Sequence, residues 1–214
     1  MDQLNLRRSE MLTKFLHFAF LMTALSLLSC EAADIIDPPL NGGELLNAKR
    51  FTTGDANDNW IYFSFDDDTT VAVANATISS QWDIAFLRTT LKINGGTSGP
   101  GDGGVLMLSG VNFEDITEVP TDAAFVVDDT LSTGFAIPTG SDSGWYHYTG
   151  PPNHWILAIE GRVLIFRTAD GRFAKVRIVA YYSDGEQPDE PLQTDSGFYT
   201  FDYVYQPDGT TSFE

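Results

Sequence analysis

Residues Val163–Tyr182 read VLIFRTADGRFAKVRIVAYY. Asp170-Gly171 separates two runs rich in β-branched and aromatic residues. That is the strongest short-range signal for a β-hairpin, because a tight primed turn needs positive φ and glycine adopts it without steric cost. Beyond the turn the pattern has period two. Ala174, Val176, Ile178, Ala180 and Tyr182 share one face, and Phe173, Lys175, Arg177, Val179 and Tyr181 share the other. One wholly apolar face and one mixed face describe a strand in a sheet with a core on one side. The same segment concentrates positive charge in Arg162, Arg167, Arg172, Lys175 and Arg177. The hairpin is therefore expected to sit at the centre of an all-β domain and to be the place where an anionic group docks. The competing explanation is cross-strand pairing with carboxylates.

Working outward, the same grammar recurs. Lys49 to Phe51 opens strand-like material, and Trp60 to Phe65 is an aromatic run ended by Asp66-Asp67-Asp68, with Val71 and Val73 alternating after it. This reads as a hairpin whose turn carries the acids. Trp82, Ile84 and Phe86 alternate, and Leu91 and Ile93 continue that strand before a glycine-rich loop; Val105 to Leu108 returns as a strand. Phe113 to Val126 is loop-like. Trp145 to Tyr148 and Trp155 to Ile159 flank a Thr-Gly-Pro-Pro-Asn loop, and Ser183 to Ser196 is an acidic loop. Tyr199, Phe201, Tyr203 and Tyr205 then share one side of a last long strand, closed by Pro207-Asp208-Gly209 and a short end at Phe213. No window keeps a 3.6-residue period, so the expected class is a single antiparallel β domain spanning residues 46–214.

The N-terminus is of another kind. Arg7, Arg8 and Lys14 precede a 14-residue apolar run, Phe15 to Leu28, which has signal-peptide length and is short for a membrane span. Leu27-Leu28-Ser29-Cys30 resembles the lipobox of bacterial lipoproteins, in which cleavage precedes a cysteine that becomes lipidated. The alternative is a secretory signal with an incidental cysteine. Residues 1–29 are thus expected to be a signal peptide, Cys30 a lipid anchor, and residues 30–45, with Pro38-Pro39 and Gly42-Gly43, a tether. Cys30 is the chain's single cysteine, so no intrachain disulfide and no cysteine metal site is available. Without the signal, nine basic residues face 28 acids, a net −19. That balance excludes nucleic acid as a partner and limits membrane contact to the lipid.

Most motif matches dissolve on inspection. Gly99-x-Gly101-x-x-Gly104 formally fits a dinucleotide fingerprint, but a strand follows where a helix is needed and Asp102 would repel a pyrophosphate. Asp55-x-Asn57-x-Asn59 begins like a calcium loop, yet Trp60 stands where glycine is required. Asp142 holds the serine position of Gly140-Ser-Asp-Ser-Gly144, so there is no nucleophile elbow. No arrangement argues for an enzyme. Beyond the signal segment the histidines and methionines reduce to His147, His154 and Met107. Haem iron takes axial His or Met. Two imidazoles on adjacent strands of one hairpin cannot easily grip an iron from opposite faces, whereas one of them with a partner from elsewhere can. Ordinary surface histidines are the other explanation.

Several segments together resemble the HmuY family of haem-binding lipoproteins from Bacteroidetes-type bacteria. They are Gln81-Trp-Asp-Ile-Ala-Phe86 with Arg88, Asn94-Gly-Gly-Thr-Ser-Gly99 with Gly103-Gly104, and Trp145-Tyr146-x-Tyr148. They continue with Arg167-Thr-Ala-Asp-Gly171, Ala174-Lys175 and Tyr181-Tyr182, then Tyr199-Thr-Phe-x-Tyr203 and Tyr205-Gln-Pro-Asp-Gly209. The resemblance implies a hand-shaped all-β fold that holds haem between loops by two axial residues, His or Met. It puts His154 where one ligand belongs, with Met107 or His147 as the second and Tyr146 or Tyr148 a remoter option. Arg167, Lys175 and Arg177 are the candidate propionate contacts. The implied protein is an outer-membrane lipoprotein, at the cell surface or on the periplasmic face, capturing haem for a TonB-dependent receptor, with homo-oligomerisation left open. The alternative is an HmuY-like surface module that has lost haem and binds another small molecule or a protein.

Overall fold

β-branched and aromatic runs without helical period can bury their apolar sides only in sheets. The computed structural model describes residues 47–188 and 194–214; the signal segment, Cys30 and the tether lie outside the described residues. The described residues form eleven strands and no helix. In chain order they are β1 (Lys49–Thr52), β2 (Ile61–Ser64), β3 (Thr69–Val71), β4 (Ile84–Leu87), β5 (Thr90–Ile93) and β6 (Gly104–Leu108), then β7 (Tyr146–Tyr148), β8 (Ile156–Ala158), β9 (Val163–Arg167), β10 (Phe173–Tyr182) and β11 (Ser196–Gln206). One antiparallel sheet has the order β1-β11-β10-β9-β6, which puts β10 in its middle. A second has the order β3-β2-β4-β5, and β7-β8 stand apart as a two-stranded ribbon.

The β9-β10 hairpin forms as the alternation demands, with Arg167 opposite Phe173 and Leu164 opposite Val176. Its turn differs from the expected two-residue primed type. Thr168 N–H donates to the Arg172 carbonyl at 2.8 Å and Gly171 N–H to the Thr168 carbonyl at 3.1 Å. This is a three-residue loop in which Gly171 alone takes positive φ, at 85°. The expectation for Leu91 and Ile93 is also corrected. They do not continue β4; the chain reverses at Arg88-Thr89, with Arg88 at φ 50°, and pairs β5 back on β4. That turn carries no glycine, proline or asparagine. It is secured from elsewhere, by the Tyr199 hydroxyl on the Arg88 carbonyl (2.5 Å) and the Trp145 indole on the Thr89 carbonyl (2.9 Å).

The main core lies between the two sheets. Phe63, Phe65, Ile84 and Phe86 from the smaller sheet meet Phe166, Val176, Tyr199, Phe201 and Tyr203 from the larger, all essentially sealed from solvent. Phe63 alone makes ring contacts with Phe51, Phe65, Phe201 and Tyr203. Such pairs add about 0.5–1.5 kcal/mol each beyond area burial. The apolar face of β10 points here as expected. Register shifts between β10 and β11 after Ile178 mark a bulge, and with it both Tyr181 and Tyr182 enter this core.

The other face of β10 is only partly solvated, with Lys175 buried and Phe173, Arg177 and Val179 half-buried. Val163, Ile165 and Val204 pack there against Phe113, Val119 and Phe213, a second core roofed by the 111–125 segment and the C-terminal end. The glycine loop has a mechanical explanation. Asn94, fully buried, donates to the Ser79 and Trp82 carbonyls and accepts from Gly101 N–H. A Cβ on Gly95 would lie 2.1 Å from the Gly103 carbonyl oxygen, so the close approach, not a phosphate, requires glycine.

Candidate functional site

The histidines belong to the β7-β8 ribbon. It is short but tied down: Ile156 N–H donates to the Tyr182 hydroxyl (3.0 Å), Ile159 N–H to the Trp145 carbonyl (3.0 Å), and Tyr148 N–H to the Ser141 hydroxyl (2.8 Å). Its turn closes through Thr149 N–H to the Trp155 carbonyl (3.0 Å) and His154 N–H to the Gly150 carbonyl (2.8 Å). His154 itself sits at φ 55°, a left-handed conformation that histidine tolerates better than most side chains. Its imidazole is exposed at the ribbon's tip. Nδ1 is hydrogen-bonded to the Tyr148 hydroxyl, and the two rings lie 5.7 Å apart.

One imidazole nitrogen of His154 is therefore used, and no hydrogen bond of Nε2 is seen among the described residues. If Nδ1–H donates to the phenol oxygen, Nε2 presents a lone pair; if the phenol donates to Nδ1, Nε2 carries the ring hydrogen and the phenol oxygen keeps its own lone pairs. Either atom then offers a donor suited to a transition-metal ion.

His147 lies one residue before Tyr148, so strand alternation turns it to the ribbon's opposite face. Its Nδ1 pairs with Asp142 at 2.8 Å. The Ser141 hydroxyl, and next to it His147, hold that carboxyl below the usual range. Met107, half-buried in β6 against the main core, accepts the Arg162 guanidinium on Sδ at 3.0 Å. The three candidate axial side chains thus have three separate partners, and no contact joins any two of them.

The cations of the hairpin are largely spent on the fold. Lys175 is 6 % exposed, and its ammonium donates to the Phe113 (3.0 Å) and Ile116 (2.7 Å) carbonyls under the Phe113 ring. Burial lowers its pKa. It holds the roof segment over β10 and faces the interior. Arg177 shares buried Asp202 with Arg50, at 2.9 and 2.6 Å, and reaches Glu114 at 2.8 Å. Arg172 pairs with Asp66 and Asp170, and Arg167 donates to the Asp102 carbonyl at 2.7 Å beside Phe125. Pairing with acids and carbonyls accounts for most of the concentration of charge. Asp55, read as a possible first calcium ligand, caps Asn57 N–H at 2.8 Å, and Asn57 in turn donates to the Ser196 carbonyl.

Two cavities flank the larger sheet. One of about 340 Å³ lies at the hairpin turn, lined by Asp66, Asp83, Asp170 and Tyr205 among others. The other, of about 580 Å³, opens between the roof segment and the β8-β9 turn, and its wall holds Arg50, Arg162 and Arg177. Sequence reasoning missed this second cavity. Arg50 and Asp202 are 152 residues apart, and only the β1-β11 pairing joins them.

A family model for the HmuY protein matches residues 56–203. Among solved structures, apo PinO from Porphyromonas gingivitis superposes with a TM-score of 0.51 at 17 % identity, covering 74 % of this chain and 97 % of that one. At that identity the likeness speaks for the fold alone. An apo HmuY analog from Tannerella forsythia gives 0.49 at 15 % identity over 77 % of this chain and all of its own. A Bacteroides vulgatus protein provisionally described as HmuY-like and heme-binding gives 0.49 at 21 % identity over 75 % and 92 %. No curated protein sequence matches the chain.

Proposed function

The chain belongs to the HmuY family, and from that premise we propose that it is a lipid-anchored haem-binding protein that captures haem outside the cytoplasm for uptake, without catalytic turnover. The family consists of extracytoplasmic binding proteins rather than enzymes. The observation that carries the reading for this chain is the exposed His154–Tyr148 pair at the ribbon tip. Haem iron needs a neutral imidazole held in one tautomer by a hydrogen bond at its far nitrogen, and Tyr148 supplies that bond. His154 would hold the haem iron through Nε2. Met107, whose sulfur is engaged by Arg162, and His147, on the opposite face of the ribbon, would not meet the same iron as His154, so the proposed complex would have one protein ligand. When bound, haem would supply its iron as a Lewis acid to that nitrogen. Of the proposed propionate contacts, Arg167 is the most available, since its charge is answered by a carbonyl and not by a carboxylate. Cys30 carries the anchor, and a TonB-dependent outer-membrane receptor is the proposed recipient.

A second reading rests on the same hydrogen bond. With Tyr148 donating to Nδ1, the Tyr148 oxygen would instead hold the iron, tyrosine being one of the residues that ligate haem. Haemin titration of the purified protein separates the two. If His154 is the ligand, a Soret band forms in the wild type, His154→Ala loses it, and Tyr148→Phe keeps it with affinity weakened about 10- to 100-fold. If Tyr148 is the ligand, those two outcomes exchange. A wild-type spectrum that equals free haemin at every ratio sinks the haem proposal and leaves a binding module for another molecule.

A further inference from the structure

The 580 Å³ cavity between the roof segment and the β8-β9 turn is lined by neither His154 nor Tyr148, and its wall is chemically lopsided. On one side Arg50, Asp202, Arg177 and Glu114 form a closed chain of ion pairs at 2.6, 2.9 and 2.8 Å, two cations answered by two anions. On the other side the turn through Gly161, at φ 70°, presents Glu160 and Arg162, and neither makes an ion pair among the described residues. Arg162 is poorly satisfied. Its Nη1 rests on the Met107 sulfur at 3.0 Å, a weak acceptor, and its buried Nε has no hydrogen-bond partner. That Nε is sealed from solvent, so a carboxylate in the cavity would meet the terminal Nη groups, which a sulfur answers only weakly. Glu160, exposed two residues earlier, offers the opposite charge beside it. The rest of the lining includes apolar Val111, Ile159, Ile178 and Val179 together with the amides of Asn112 and Gln187. The volume lies in the range of roughly 300–1,000 Å³ typical of small-molecule sites.

We propose that this cavity is a second binding site, for a short apolar peptide in its zwitterionic form, with the carboxylate on Arg162, the ammonium on Glu160 and the side chains on the apolar lining. A plain anion would leave Glu160 as a repelling neighbour. A plain cation would face Arg162 as a repelling neighbour.

The test is calorimetric titration of the full chain with Leu-Leu, N-acetyl-Leu-Leu, Leu-Leu amide and octanoate as probes. Saturable one-to-one binding of Leu-Leu is expected, weakened about tenfold by either end-blocked form, the size of one charge-assisted contact. Glu160 is exposed, so Glu160→Gln should keep the melting temperature while losing the same tenfold for Leu-Leu. It should leave N-acetyl-Leu-Leu binding unchanged, because the ammonium it served is already gone. Arg162→Lys should bind more weakly than wild type while retaining some affinity. Absence of heat with Leu-Leu overturns the proposal, as does equal affinity for the N-acetylated form or an unaltered Glu160→Gln. Octanoate binding tighter than Leu-Leu also overturns it, in favour of an anionic amphiphile.

Discussion

Asp83 shows how one side chain from the Gln81–Phe86 segment ties distant parts together. It is buried, and its two oxygens accept N–H groups from Phe65 and Ala169, both at 2.8 Å, linking the end of β2 to the β9-β10 turn. Burial raises its pKa to about 6, the two N–H bonds pull it back in part, and Asp170 and Asp66 push it up further. A carboxyl whose folded value lies above its unfolded value of 3.8 contributes stability that is fully present below that unfolded value and is lost as pH rises through about 6. A shift of about two units corresponds to roughly 2–3 kcal/mol. Buried Asp128 is shifted the same way by desolvation, whereas Asp202, beside Arg50 and Arg177, is depressed and acts only at more acid pH. Urea unfolding should therefore give a more stable protein at pH 5 than at pH 7. In Asp83→Asn, which cannot ionise, most of that difference should vanish. A wild type less stable at pH 5 than at pH 7 would contradict the assignment.

At the scale of elements, β10 separates what alternation can reveal from what it cannot. Its apolar face announced a core, and the core is there. Its mixed face, with Lys175 and Arg177, reads as half-solvated, because nothing in the strand records that Phe113 and Ile116 will fold over it and offer their carbonyls to an ammonium. Legibility failed in the same way at Arg88-Thr89, where a turn without turn residues is held by Tyr199 and Trp145 from remote strands. His154 was visible as a residue type, but its Tyr148 partner depends on the ribbon's pairing, with Tyr148 opposite Ile156. The Arg50–Asp202–Arg177 chain depends on sheet order alone. Local pattern sets strands and glycine turns; side chains that satisfy another segment's backbone are tertiary facts. Lys175 makes the point testable. Lys175→Met keeps the apolar stem and removes the ammonium, leaving two roof carbonyls without their donor. The expected cost is about 2 kcal/mol in urea unfolding. Haemin affinity should stay unchanged, since none of the Lys175 contacts involves the ribbon. A variant of wild-type stability with weakened haemin binding would return Lys175 to the propionate role.

For the whole molecule, charge determines how an anionic ligand arrives. The chain carries a formal −18, and Arg50, Arg172 and Arg177 are each paired with carboxylates. Lys175 lies inside and Lys92 is enclosed by the rings of Trp60, Tyr62 and Trp82. What the hairpin promised as a cationic landing patch is, once folded, mostly neutralised within the protein. A haem with two ionised propionates then approaches a body of its own sign. On the proposed reading the long-range field would oppose the encounter, and short-range contacts at the ribbon tip and at Arg167 would favour it. Screening changes this in a defined direction. As ionic strength rises from about 0.01 M to about 0.15 M the Debye length shrinks from about 30 Å to about 8 Å, which removes the repulsion between separated charges while sparing a coordinate bond. Stopped-flow association of monomeric haemin should therefore accelerate with added salt, with little change in the dissociation rate. Steering by a basic patch demands the reverse, an association rate that falls as salt is added. That result would mean that Arg167 and its neighbours present more free charge to solvent than their contacts allow.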